Sequence, residues 1–105
     1  MSSIFTKIIN REIPSDIVYE SSDIIVIKDI APVAKTHLLI IPKKEIPTIN
    51  DLDDSDREIV AEMFFVAKKL AADLGVTEGY KLKFNVGEKW WQQVWHIHLH
   101  LLSDI

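Results

Sequence analysis

The sequence predicts an α+β domain: an antiparallel sheet of about five strands, one long helix and a short N-terminal helix. Two patterns carry this reading. Short apolar runs rich in β-branched residues recur along the chain, and one stretch from Ser55 to Leu74 keeps helical spacing. With 105 residues there is room for one domain, 1–105, and 48% hydrophobic with 27% charged residues is the balance of a globular protein. No repeat or linker divides it.

The elements follow in order. Ile4 to Asn10 reads as the short helix, stopped before Pro14. Val18–Glu20 and Ile24–Lys28 are strands separated by Ser-Ser-Asp, a hairpin signal, and Asp29-Ile30-Ala31-Pro32 is a turn. Thr36–Pro42 (THLLIIP) is continuous enough in its apolarity to be a strand buried on both faces. Ser55 with Glu58 three residues later reads as a capping box. Behind it Ile59, Met63, Val66, Leu70 and Leu74 keep helical spacing, and Gly75 supplies the stop. Val60, Phe64, Ala67 and Ala71 form a second apolar line, and Phe65 widens it. That is more than one sheet face needs, so a second subunit is expected against this helix. Tyr80–Val86 and Val94–Leu102 read as two alternating strands.

Composition excludes several functions. The 16 acidic against 12 basic side chains give a net charge of −4, which argues against a DNA or RNA polymer as partner. With no cysteine there is neither a disulfide framework nor a thiolate metal site, which fits a reducing compartment. The N-terminus lacks the basic and then apolar pattern of a signal peptide. No apolar run approaches the roughly 18–20 residues that cross a bilayer. A cytoplasmic protein with no membrane partner is expected.

Three of the four histidines stand in His96-Ile97-His98-Leu99-His100. On a strand the three imidazoles share one face, about 7 Å apart, with the apolar residues on the other. Three imidazoles make a poor core, because each ring needs a polar partner. Two chemistries suit the row. A His-x-His pair can chelate zinc with His37 as a third ligand, although no acidic or cysteine ligand is evident. Alternatively an imidazole acts as nucleophile and proton carrier near neutral pH.

These residues are joined by further landmarks: Ile4-Phe5-x-Lys7-Ile8-Ile9, Glu12-Ile13-Pro14, Asp29-Ile30, Thr36-His37, Ile41-Pro42-Lys43-Lys44, Asn85 and Gln92-x-Val94-x-His96-Ile-His98-Leu-His100-Leu-Leu102. From Ile4 to Leu102 the chain resembles the histidine triad (HIT) family, in its nucleotide-binding branch. The resemblance implies the HIT-like fold and a homodimer. It also implies hydrolysis of nucleoside phosphoramidates or related AMP-linked compounds, with no cofactor or metal required. By position His98 resembles the nucleophile, His96 and His100 the members that bind phosphate oxygens or shape the site, and His37 the histidine beside them. Ile4, Phe5, Ile8 and Ile13 match positions that enclose the base, with Ile30 and Gln92 in the same motifs. For Ile8 and Ile13 plain core is as good a reading. Asp29 matches the ribose-contacting acid, though it also suits a turn cap before Pro32. Asn85 matches a phosphate- or ribose-side contact, whereas Lys43 and Lys44 read as a solvated strand end.

One stretch departs from the family. Where members commonly carry Gly-Gly and then Gln-Ser or Gln-Thr, this chain has Trp90-Trp91-Gln92-Gln93. Glycine there lets backbone N–H groups approach phosphate, and Gln93 replaces a hydroxyl that assists the leaving group. Weakened catalysis is expected. The alternative is a HIT scaffold whose Trp90/Trp91 surface binds a protein partner with little catalysis. Many members also run on past the end of this sequence, with a tail that reaches the partner's site, so that contribution is expected to be missing or replaced.

Overall fold

The computed structural model describes residues 2–105. Helix α1 (Ile4–Ile9) leads into strands β1 (Ile17–Glu20), β2 (Ile24–Lys28) and β3 (Thr36–Pro42), then α2 (Arg57–Asp73), β4 (Lys81–Lys83) and β5 (Leu99–Ser103). The five strands form one sheet in the order β1-β2-β3-β5-β4, with every neighbouring pair antiparallel. The last strand in sequence therefore sits inside the sheet, between β3 and β4. The expected α+β class and strand number are what is found.

Strand alternation divides the core in two. Ile24, Val26, Leu38, Ile40, Leu99 and Leu101 face α2 and meet Met63, Val66, Ala67, Leu70 and Ala71. Ile25, Ile27, Leu39 and Ile41 face the other way and meet Phe5 and Ile8 of α1. This is why THLLIIP reads as unbroken apolarity: both faces of β3 are covered. Phe64 and Phe65 stay outside the α2 contact, Phe65 at 66% exposure.

Three boundaries differ from the sequence reading. The capping box belongs to Asp53 and Asp56, not to Ser55 and Glu58. Asp53 accepts from the Ser55 N–H at 2.9 Å, and the Asp53 N–H donates to Asp56 at 3.1 Å. A 3-10 turn over Asp54–Asp56 precedes the helix, so α2 starts at Arg57. Acidic residues win the cap because the buried Asp56 carboxylate also takes the Lys44 ammonium at 2.6 Å. β4 ends at Lys83, because the chain turns at Gly87 (φ 84°) and the Gln92 side chain accepts from the Gly87 N–H at 3.0 Å. β5 begins only at Leu99. The Ile97 N–H just before it bonds to the Ile46 carbonyl at 2.8 Å, in the loop after β3, and not to a strand neighbour.

The corrected cap has a measurable consequence. Asp56→Ala removes the acceptor for both Asp53 N–H and Lys44, and should cost about 1–2 kcal/mol in denaturant unfolding. Glu58→Ala, on an exposed side chain, should stay within about 0.5 kcal/mol. Equal losses from the two would restore the Ser55–Glu58 box.

Candidate active site

The four histidines meet on the α1 face of the sheet, where β3 and the approach to β5 run side by side. His96 is fully buried and both its ring nitrogens are taken. Nε2 lies 2.7 Å from the Pro42 carbonyl, which can only accept, so Nε2 carries the hydrogen. Nδ1 therefore accepts, from the Ser3 hydroxyl at 2.7 Å. Ser3 is the N-cap of α1, and its hydroxyl also accepts from the Thr6 N–H at 3.0 Å. Glu45 completes the clamp, taking the Ser3 N–H at 2.8 Å and the Thr6 hydroxyl at 2.6 Å. Burial holds His96 below the ordinary imidazole pKa. A neutral ring with two partners has no donor left for a phosphate, so His96 shapes the site.

His98 is set differently. Its Nδ1 lies 2.9 Å from the His96 carbonyl and must donate to it. That fixes the tautomer and leaves the lone pair on Nε2. Burial is the main cause that lowers its pKa, with the His96 carbonyl acting against it. The ring sits between Phe5, edge-on at 4.9 Å between centroids, and His100 at 4.9 Å.

A proton-ordering chain fixes the remaining two rings. The Val33 N–H donates to His37 Nδ1 at 3.3 Å, so His37 carries its hydrogen on Nε2. That N–H faces His100 Nδ1 at 2.9 Å and Asp29 Oδ2 at 3.4 Å. His100 Nδ1 then accepts, and its buried Nε2–H has no partner among the described residues. Burial pushes the His100 pKa down to about 4, helped by His98, His37 and the Lys83 ammonium. An unpartnered buried N–H in a neutral ring is a donor waiting for an anion. Asp29, His37 and His100 also bring one ligand atom each within 4.8 Å of one another, which could hold a metal ion. The chelating set thus includes an acid and excludes His96, unlike the His96–His98–His37 set weighed from the sequence.

The other expected site residues divide. Phe5 and Ile8 are buried in the α1 core and Ile13 packs against it, while Ile4 is half exposed. Ile30 is 96% exposed. Asp29 combines both expected roles: Oδ1 caps the turn through the Ala31 N–H at 2.9 Å, and Oδ2 faces His37. Gln92 is a loop staple. Besides Gly87 it binds the carbonyls of Pro47 at 2.6 Å and Val94 at 3.0 Å. Asn85 donates to the Trp91 carbonyl at 3.3 Å. Trp90 and Trp91 stand edge to face at 5.3 Å, 69% and 67% exposed, with Gln93 exposed beside them. Trp91 takes the left-handed conformation (φ 66°), a region that favours glycine. Ser3, Glu45 and the Pro42 carbonyl were not expected. An N-cap serine is readable before α1, but its partner lies 93 residues away.

Over residues 2–105 the chain matches the family model described as "Scavenger mRNA decapping enzyme C-term binding". It is 48% identical over 102 residues to a purine nucleoside phosphoramidase of Escherichia coli K12, covering 96% of this chain and 86% of that protein. It superposes on a HIT family hydrolase from Legionella pneumophila with a TM-score of 0.96 at 50% identity, covering 99% of this chain and 94% of the other. The chain belongs to the histidine triad (HIT) family. A HIT family hydrolase from Clostridium thermocellum gives 0.94 at 43% identity, over 99% and 91% of the two chains. A histidine triad nucleotide-binding protein from Candida albicans gives 0.86 at 36%, over 95% and 73%. Among the described residues no helix of this HIT protein is long and apolar enough to cross a membrane.

The buried HIT imidazoles tie stability to pH. His100 titrates near 4 when folded and near 6.5 when unfolded. Between those values the unfolded chain binds a proton that the folded chain does not, so stability rises with pH through the window and falls on acidification. The melting temperature should drop from pH 7 to pH 5, and less steeply in His100→Asn. An unchanged slope in that variant would remove His100 from the effect.

Proposed function

We propose that this HIT protein hydrolyses nucleoside phosphoramidates and related AMP-linked compounds through a nucleotidyl-His98 intermediate. The observation that carries this is the His98 Nδ1–H bond to the His96 carbonyl at 2.9 Å, which presents a neutral Nε2 lone pair. That Nε2 attacks the α-phosphorus, and the P–N bond breaks as the amine departs with the electron pair and gains a proton. Water then attacks phosphorus, the P–Nε2 bond breaks, and the nucleotide leaves. The His96 carbonyl stabilises the positive charge that grows on the His98 ring, and the unpartnered His100 Nε2–H is placed to meet a phosphoryl oxygen. Phe5 beside His98 and Asp29 beside His37 support a nucleoside on the α1 side of the row, with the Asp29 carboxylate available to ribose hydroxyls. The name of the Escherichia coli relative supports the substrate class. No step uses a metal.

Trp90 and Trp91 bear on the rate. Both spend their N–H groups inside the turn, on the Gly87 and Glu88 carbonyls at 3.1 and 3.2 Å. Losing one donor to the developing charge costs about 10²–10³ in rate, so turnover slower than in Gly-Gly members is expected. The exposed indole pair also favours a second reading, in which this surface binds a protein and catalysis is residual.

One set of assays separates the two. With adenosine phosphoramidate, turnover should persist in chelator, vanish in His98→Ala, and decline on acidification only below the pH at which a free imidazole would titrate, because burial lowers the His98 pKa. His98→Asn should still bind AMP. Undiminished turnover in His98→Ala would exclude His98 as nucleophile, and wild-type hydrolysis at background would favour the binding-surface reading.

We also propose that two copies pair through α2, whose Phe64 and Phe65 are left uncovered by the sheet. Light scattering at micromolar concentration should give the mass of two chains. Phe65→Asp should shift it toward one. A wild-type monomer would overturn the pairing.

A further inference from the structure

We infer that the hollow of about 500 Å³ walled by Lys83, Asn85, Trp90 and Trp91 is a leaving-group subsite, selective for an aromatic amine that carries a carboxylate. The inference rests on the phosphoramidase reading above and adds to it the chemistry of the departing amine.

Strand register places the hollow beside the catalytic row. Lys83 is the β4 partner of His100, and Leu82 is the partner of Leu101. Leu82 and Leu101 belong to the core under α2, so Lys83 and His100 project to the opposite face, where the imidazoles stand. The Lys83 charge reaches His100 strongly enough to lower its affinity for a proton. From Lys83 the wall continues through Phe84, Asn85 and Val86 to the two indoles.

In-line displacement then assigns the space. Phe5 covers one side of His98, and His100 lies on the other. With the nucleoside at the α1 end, the free volume for the departing amine lies past His100, toward β4. Lys83 and the indoles are what it meets there.

The lining has a definite chemistry. Among the described residues no carboxylate pairs with Lys83. Lys81 stands two residues before Lys83 on β4, and Glu88 and Lys89, of opposite charge, precede the indoles. Trp90 and Trp91, edge to face at 5.3 Å, offer two perpendicular apolar walls suited to a flat ring. Trp91 is held in a left-handed conformation that a bulky side chain adopts only at a cost, and the Asn85 side chain fastens its carbonyl at 3.3 Å. An aromatic ring bearing a carboxylate satisfies the indoles and the ammonium together. An alkylamine satisfies neither.

The test compares three adenosine 5′-phosphoramidates, of 4-(aminomethyl)benzoate, benzylamine and methylamine. Wild type should favour the carboxylate over benzylamine by roughly five-fold in kcat/KM, the scale of one partly exposed ion pair. Lys83→Met should bring that ratio to about one, whereas Lys83→Arg should keep it. Trp90→Ala with Trp91→Ala should narrow the gap between benzylamine and methylamine. A change in His100 basicity alters all three substrates alike and cancels in the ratios. Indole fluorescence of His98→Asn titrated with the same compounds gives a readout free of turnover. Tighter binding of the carboxylate, lost on adding Lys83→Met, would uphold the subsite even if no substrate were hydrolysed. Equal kcat/KM and equal binding for carboxylate and benzylamine in proteins that retain Lys83 would overturn it.

Discussion

One imidazole holds the site together. The His96 ring joins the end of β3 to the N-cap of α1, through the Pro42 carbonyl on one nitrogen and the Ser3 hydroxyl on the other. Its own carbonyl then fixes the tautomer of His98. Burying a polar ring is unfavourable unless both nitrogens are satisfied, and here they are. The same bonds set the position of α1, and hence of Phe5 against His98. The positions of α1, the end of β3 and the His98 ring therefore all depend on one buried side chain.

Burial does the electrostatic work in the rest of the row. Three neutral imidazoles can stand side by side, whereas protonated ones would repel each other and lose hydration. His96, His98 and His100 all bind protons less readily than a free histidine, with burial the largest cause in each. The His96 carbonyl leaves the lone pair of His98 on Nε2, and a separate chain from the Val33 N–H through His37 leaves an unspent N–H on His100.

The loop before β5 is held by polar bonds from one side chain. Gln92 staples it at Gly87, Pro47 and Val94 whatever side chains the turn carries. Trp91 is forced into a glycine-like conformation at a cost of about 1–2 kcal/mol. The two indoles form the exposed surface of this loop and line one hollow with Lys83.

By itself the sequence determined the fold class, the two-sided burial of β3 and the grouping of His96, His98 and His100, because strand and helix periodicities are local properties of the chain. The family landmarks are equally local, and they were enough to reach HIT chemistry. Other features were decided only in three dimensions. The capping box stands at Asp53–Asp56, on the 3-10 turn ahead of α2, and not at Ser55–Glu58; Lys44, twelve residues away, pairs with the Asp56 carboxylate. The strand holding the histidines shortened to Leu99–Ser103 because the Ile97 N–H and the His96 ring found partners in the loop and strand end after Ile41. Ile30 points to solvent although it adjoins Asp29, since a turn gives neighbouring side chains different surroundings. The division of labour among four chemically identical histidines depends on which carbonyl, hydroxyl or ring each one meets. Those partners come from Ser3, Val33, Pro42 and His96, and only folding brings the first three within reach.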